Sequence, residues 1–468
     1  MVKNIVIALV RGREPATTIK RAVAMAAMRR LIGVLIGASL CAAVPARADV
    51  VTDWNAIMIS TIGAAPVAPR PARLIDYAMV HIAMHDAVQA IQQRFQTYSP
   101  GITPTSGSVI AAAAKAGRDV LVNRFPAQTA TLDTTYSAYL AAHQIAPNDP
   151  GIAAGSQAAA AIIQGRVNDG AYPVPAPLFM GGTGPGEWRP TVFDAAGAPT
   201  PMAAAWLATA KPFTLMHSSQ FFAPGPPRIT SRRYTRDYSE VKALGRNVGS
   251  TRTEEQTAIA TFHSGNTLNL WNQTLHALAN QYIKDVGDSA RLFALVNMAM
   301  ADAGMSSWQS KIQYNRWRPI TAIQNGDTDG NRSTVGDPTW QSLFPAPNDP
   351  DYTSGVNIWS GSATEILRLF FQTDRVNFLM VGPTTSRFFT RFSDVPKEVI
   401  EALISRGVHF RFAAEAGRSQ GMRVGRWVYT RFLKSLTDDE FDFIRTLDSF
   451  EDLGLAAEDD GQDDDDAE

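Results

Sequence analysis

The chain has 468 residues, 45% of them hydrophobic and 19% charged, with 43 basic and 44 acidic side chains and a formal net charge of −1. This composition excludes a disordered chain, which lacks the apolar residues needed to offset the entropy of ordering. The absence of a net positive field argues against nucleic acid as a partner.

At the N-terminus, Met28-Arg29-Arg30 precedes the apolar run LIGVLIGASLCAAV, which leads into Ala46-Arg47-Ala48. Basic start, apolar core and small-residue cleavage site are the layout of a secretory signal. The predicted signal therefore covers 28–48 and the mature chain starts at Asp49. Residues 1–27 read as an over-extended start, with Met28 as the initiator. The single cysteine, Cys41, falls in the segment to be removed and follows Leu40, not the small residue of a lipoprotein site, so the mature chain has no thiol, disulfide or thiolate metal site. No later run is long and apolar enough to span a bilayer, and the expected location is secreted or periplasmic. At the other end, eight carboxylates lie between Glu458 and Glu468, and 451–468 reads as a solvated, disordered acidic tail.

Apolar residues three and four apart predict helices over about 71–95, 109–125, 129–144 and 150–168. The Gly- and Pro-dense region 170–230, with PVPAPLFMGGTGPGEWRP, predicts a long ordered connection over the surface, or a lid. Helical periodicity resumes at Thr253, where TEEQ offers a capped start, and runs to about 283. Further helices are predicted over 288–317, 361–374, 395–406 and 409–435. With no series of strands the fold class is all-α, with an N-terminal bundle and connection over 49–250 and a C-terminal bundle over 251–450.

The chemistry is concentrated in the second half. KIQYNRWRP puts Lys311 and Arg318 seven residues apart, two helical turns, which predicts two cations on one face near a helix end set by Pro319. Such a pair would hold a tetrahedral or trigonal-bipyramidal oxyanion, with Arg318 making paired hydrogen bonds. Ser354-Gly355, in DYTSGVNIWSGSATEIL, can add a hydroxyl and backbone N–H groups. His409 is predicted to begin a helix after Gly407 and could bond the central atom of the anion.

K-x6-R-P, then Ser-Gly, then a histidine leading a helix resembles the three-part signature of the vanadium-dependent haloperoxidases and type 2 phosphatidic acid phosphatases. DWNAIM at 53–58, MVHIAMHDAV at 79–88, ADAG at 301–304, WRPITAI at 317–323, HFRF at 409–412 and EAG at 415–417 extend the likeness over about 50–435. The resemblance implies two packed four-helix bundles with the anion site in the second. It implies vanadate, or phosphate in its place, held by Lys311, Arg318, Ser354, Gly355 and His409, with His409 as the axial ligand. The implied activity is peroxide-dependent halide oxidation, with hydrogen peroxide and halide as small-molecule partners.

Three positions depart from that signature. Val356 stands where a histidine acid/base is expected, Leu403 where a second arginine is expected, and Ala413 where an aspartate supports the ligand histidine. Arg406 lies three residues nearer His409 than the pattern requires and is the candidate replacement for the arginine. Loss of a positioned acid/base costs about 10²–10⁴ in rate. Three functions are therefore carried forward: a haloperoxidase, a catalytically impaired binding protein of the same fold, and, with least support, an acid phosphatase. His81 and His85 read as a hydrogen-bonded core pair sooner than as metal ligands, His263 and His276 as packing residues on one helix, and NGDTDGN at 325–331 as a turn sooner than a calcium loop. Trp308, Trp317 and Trp359 read as core.

Overall fold

The computed structural model describes residues 49–65, 70–382 and 384–437. The segments read as over-extended start, signal and acidic tail lie outside these residues. Helix α1, Val50–Ala64, is set by Asp49, whose carboxylate accepts the N–H groups of Val51 and Thr52 at 2.9 Å while the Thr52 hydroxyl accepts the Asp49 N–H at 3.0 Å. Helix α2, Leu74–Gln92, is buried at every residue from Leu74 to Ala90. It packs on α3, Val109–Arg124, and α5, Pro150–Gly165, while α4, Thr129–Ala142, lies against α3. Buried Ala112, Ala116, Ala154 and Ala158 let α3 and α5 approach so closely that a Cβ on Gly155 would collide with the Ala112 carbonyl.

The second half supplies α6, Arg232–Leu244; α7, Glu254–Phe262; α8, Thr267–Tyr282; α9, Val286–Tyr314; and the short α10, Pro319–Gln324. It continues with α11, Gly355–Phe370; α12, Asp394–Ser405; and α13, Arg411–Arg431. The 29-residue α9 packs on α2 and on both α11 and α13, so it is common to the first-half and second-half packing. The closest of these seams joins α11 to α13. Gly417, Gly421 and Gly425 recur one turn apart, and added Cβ atoms would lie 2.5 Å from Ser354 O, closer still to Ile358 O, and 2.7 Å from Ser362 O. Glycine is needed there because backbone meets backbone.

The all-α class holds, with one addition. Arg375–Val381 (β1) and Ser386–Arg391 (β2) pair antiparallel, Phe378 opposite Phe389, and Val376, Phe378 and Met380 are buried in alternation with exposed neighbours. Neither this hairpin nor α6 was predicted from the sequence. Several boundaries also shift. The capping box at Thr253 is present, but the helix predicted to 283 is two, because Asn266 starts α8 by accepting the N–H groups of Leu268 and Asn269. The helix predicted from 361 begins at Gly355, capped by Ser354, and the one predicted from His409 begins at Arg411.

The Gly/Pro-rich connection is ordered but is not confined to the surface. Trp206, Leu207, Phe213 and Leu215 are buried in the main core. Asp302 of α9 anchors it, accepting the N–H groups of Phe213 at 2.6 Å, Thr214 at 2.7 Å and Leu215 at 3.1 Å. Among the described residues no helix is long and apolar enough to cross a membrane.

Candidate functional site

Lys311 lies in the last turn of α9, which ends where Asn315 takes a left-handed conformation at φ 44°. The chain then turns, and Arg318 becomes the residue before α10, with Pro319 at its first position. Lys311 and Arg318 are thus on either side of a helix end and not on one helix face, which corrects the spacing argument. They meet because both reach Asp349: Lys311 Nζ is 2.8 Å and Arg318 Nη2 2.6 Å from its Oδ1. Arg318 Nε also donates to the Asp349 carbonyl at 2.7 Å and Nη1 to the Val408 carbonyl at 2.7 Å, while Lys311 donates to the Pro350 carbonyl.

Arg318 brings in His409 as well, with Nη1 2.9 Å from Nε2. At the other ring nitrogen, Nδ1 is 2.8 Å from Asp351 Oδ1. That contact is short but off the line of a ring N–H, so both Asp351 oxygens lack an aligned donor. Lys311, Arg318, His409 and Asp351 are all buried.

Burial sets the electrostatics. It lowers the His409 pKa well below the ordinary value, and Arg318, Lys311 and Arg406 push the same way against an interaction with the Asp351 backbone. The imidazole is neutral at pH 7 and keeps a lone pair. Burial brings Lys311 down to about 8, although Asp349 opposes it. For Asp349, burial acts upward but Lys311 and Arg318 together outweigh it and hold the carboxyl below its usual range. Asp351 behaves oppositely: burial pushes it up to about 7 against the pull of Arg318 and Lys311.

Arg318, Asp349 and His409 border a cavity of about 250 Å³. Arg318, Asp349, Arg406 and His409 line its polar side, and Val356, Leu403, Trp308 and Trp359 its apolar side. Gly355 opens α11 in the wall, where a Cβ would lie 3.2 Å from the Trp308 ring. Ser354 does not line the cavity. Its Oγ is 3.1 Å from Asn357 Oδ1, and its N–H donates to the Ala413 carbonyl at 3.0 Å. Lys311 is not in the lining either and connects to it through Asp349.

Arg406 follows α12, and Gly407, at φ 75°, turns the chain back toward His409. Its Nη1 donates to the His263 carbonyl at 3.1 Å, and its guanidinium lies 5.2 Å from the centre of the Phe344 ring. Of the candidate residues, Arg318, Gly355, Arg406 and His409 therefore share one cavity, with Lys311 and Ser354 directly behind it. Sequence reasoning missed Asp349 and Asp351, although two carboxylates in NDPD just before a Ser-Gly read as an anion contact were a visible signal.

The other candidates stay outside. His81 Nε2 is 3.2 Å from Asn55 Oδ1 and His85 Nε2 3.1 Å from the Gln96 carbonyl, both within the core. His263 pairs with Glu398 at 2.9 Å and ends α7, whereas His276 is on α8, so they do not share a helix. Asp327 and Asp329 accept hydrogen bonds within their own turn, from Gly336 N, Asn331 N and the Thr334 hydroxyl at 2.7–2.8 Å. Trp317 donates to Tyr234 Oη at 2.9 Å, away from the cavity, while Trp308 and Trp359 are buried in the main core, as read, and also form part of the cavity wall.

A family model described as the VCPO second helical-bundle domain matches residues 291–438. The vanadium chloroperoxidase of Curvularia inaequalis is 28% identical over 190 residues, covering 30% of this chain and 30% of that protein. These likenesses support the vanadium haloperoxidase-like superfamily. The matched residues include the whole site from Lys311 to His409. The likeness in fold extends further: a bacterial vanadium-dependent iodoperoxidase superposes with a TM-score of 0.68 at 22% identity, over 83% of this chain and 96% of that one. An apo-type bacterial vanadium-dependent chloroperoxidase gives 0.65 at 18% identity, over 78% and 94%. The chain spans under a third of the length of the Curvularia protein that it matches.

Proposed function

We propose that the cavity binds vanadate or phosphate and that the chain is an exported haloperoxidase oxidising halide with hydrogen peroxide. The observation that carries this reading is His409: a buried, neutral imidazole with Arg318 Nη1 2.9 Å from Nε2, in a cavity that Arg406 and the start of α11 also line. The donor set suits a compact polyanion. Arg318, Lys311 and Arg406 would offset its charge, the Gly355 end of α11 would offer backbone N–H groups, and His409 would offer an imidazole nitrogen. With a proton on Nδ1, on the Asp351 side, the Nε2 lone pair accepts from Arg318 Nη1, and an anion bonded at Nε2 would have to displace that contact. Vanadate bound there would supply activation of peroxide toward halide. Val356 gives the wall no proton donor, which is why phosphoester cleavage is the weakest reading. The signal-like segment 28–48 supports export.

The test is vanadate binding by calorimetry to the chain from Asp49, with His409→Ala as control and dye bromination on the same sample. Binding lost in the variant, with vanadate- and peroxide-dependent bromination, is expected. Binding without bromination would favour the impaired binding protein, and no binding to vanadate or phosphate would overturn the oxyanion reading.

A further inference from the structure

We propose that Asp349 is a built-in counter-anion that occupies the cationic cradle and weakens its grip on tetrahedral oxyanions. The inference rests on the oxyanion reading above. Its basis is that one carboxylate oxygen takes the donors of both cations, Lys311 Nζ at 2.8 Å and Arg318 Nη2 at 2.6 Å, on the wall of the same cavity as His409 and Arg406. That is the hydrogen-bonding demand of one oxygen of a bound oxyanion. The carboxylate also cancels one of the cradle's positive charges, so an entering polyanion meets a weaker field.

The backbone holds Asp349 in this role. Its own carbonyl accepts Arg318 Nε at 2.7 Å. On one side, Asn348 is fixed to Thr200 Oγ1 at 2.8 Å and the Pro201 carbonyl at 2.9 Å; on the other, Asp351 N donates to Arg316 O at 2.8 Å and Lys311 holds the Pro350 carbonyl. The chain there has little freedom to withdraw. An anion can gain Arg318 and Lys311 only by turning the Asp349 side chain out, which requires a new partner for a carboxylate or a proton on it. Binding of a polyanion and retention of the Asp349 contacts are therefore competitive.

Calorimetry of orthovanadate and of inorganic phosphate, in separate arms, with wild type, Asp349→Asn and Asp349→Ala tests this. Asp349→Asn keeps the volume and one acceptor and so disturbs the fold least; circular dichroism and the thermal midpoint check both variants. Both variants are expected to bind either anion at least tenfold more tightly than wild type. In Asp349→Ala, formate should compete with phosphate by refilling the carboxylate position, and in wild type it should not. Unchanged or weaker binding in folded variants, with wild type still binding, overturns the counter-anion and leaves the oxyanion reading intact. No binding to any of the three proteins overturns both.

Discussion

Asp351 Oδ1 stands 2.8 Å from His409 Nδ1, the ring nitrogen that is the farther of the two from Arg318 Nη1, at 3.3 Å against 2.9 Å for Nε2. The sequence signature places a supporting aspartate four residues after the histidine, where Ala413 is found. A carboxylate from before the Ser-Gly turn makes the contact instead. Groups that orient a ligand histidine contribute tenfold to a hundredfold in affinity. Asp351→Asn is therefore expected to weaken vanadate binding by about that factor, read by calorimetry, while the thermal midpoint stays level or rises, because a buried carboxylate without an aligned donor is removed. Wild-type affinity in this variant would show that Asp351 does not position His409.

Arg406 lines the cavity that also contains Leu403, the residue at the expected arginine position. A charge-assisted hydrogen bond contributes about 1.5–3 kcal/mol, so Arg406→Ala should lower vanadate affinity roughly tenfold to a hundredfold. Arg406→Lys should recover only part, because a point charge does not reproduce the planar fork. Adding Leu403→Arg to Arg406→Ala should restore binding. An Arg406→Ala protein that binds as wild type would remove Arg406 from the site.

Much of this was legible in the sequence, and the reasons for the rest are physical. Lys311, Arg318, Gly355 and His409 were legible as candidates because a polyanion demands cations and N–H donors, and Arg406 because the resemblance expects a second arginine before His409; Arg318, Gly355, Arg406 and His409 line one cavity. The route from Lys311 to Arg318 was misread, since Asn315 breaks the helix that a seven-residue spacing assumed. Asp349 and Asp351 escaped because carboxylates argue against anion binding until their partners are known. The hairpin was missed because its alternation is short and lies beside strong helical patterns. Loop 263–266 was missed because the capping signal at Asn266 sits inside an otherwise continuous apolar period.

The α11–α13 seam gives a stability prediction. A methyl at Gly421 would meet the Ile358 carbonyl, and neither helix backbone can yield locally. Overpacking of this kind costs about 1–3 kcal/mol, so Gly421→Ala should lower the thermal midpoint by several degrees. It should also weaken anion binding, because the same seam holds Ser354 through Ala413. Gly165→Ala, at the end of α5 with no atom near the added methyl, should be neutral or stabilising. Equal midpoints for the two variants would show that the seam tolerates separation.

His81 and His85 make acid stability testable. Burial lowers their pKa values to about 3 and about 4, from 6.5, with weak opposition from Asn272 and from the Gln96 carbonyl. Both folded values lie below the unfolded one, so the stabilisation is complete above pH 6.5 and is lost as pH falls toward 4, where only the unfolded chain takes up the protons. For His85 the loss amounts to roughly 3 kcal/mol at the acid end. Buried Asp86, raised to about 6, and Asp351 titrate against this trend, so wild type alone does not isolate it. The difference from His85→Gln does. The variant keeps a donor for the Gln96 carbonyl, and urea midpoints at pH 7.5, 6.0 and 5.0 should show it less stable than wild type at the first and gaining relative to wild type by up to about 1.4 kcal/mol per pH unit below 6.5. A constant difference across the three would mean that His85 titrates in the folded chain as it does in the unfolded one.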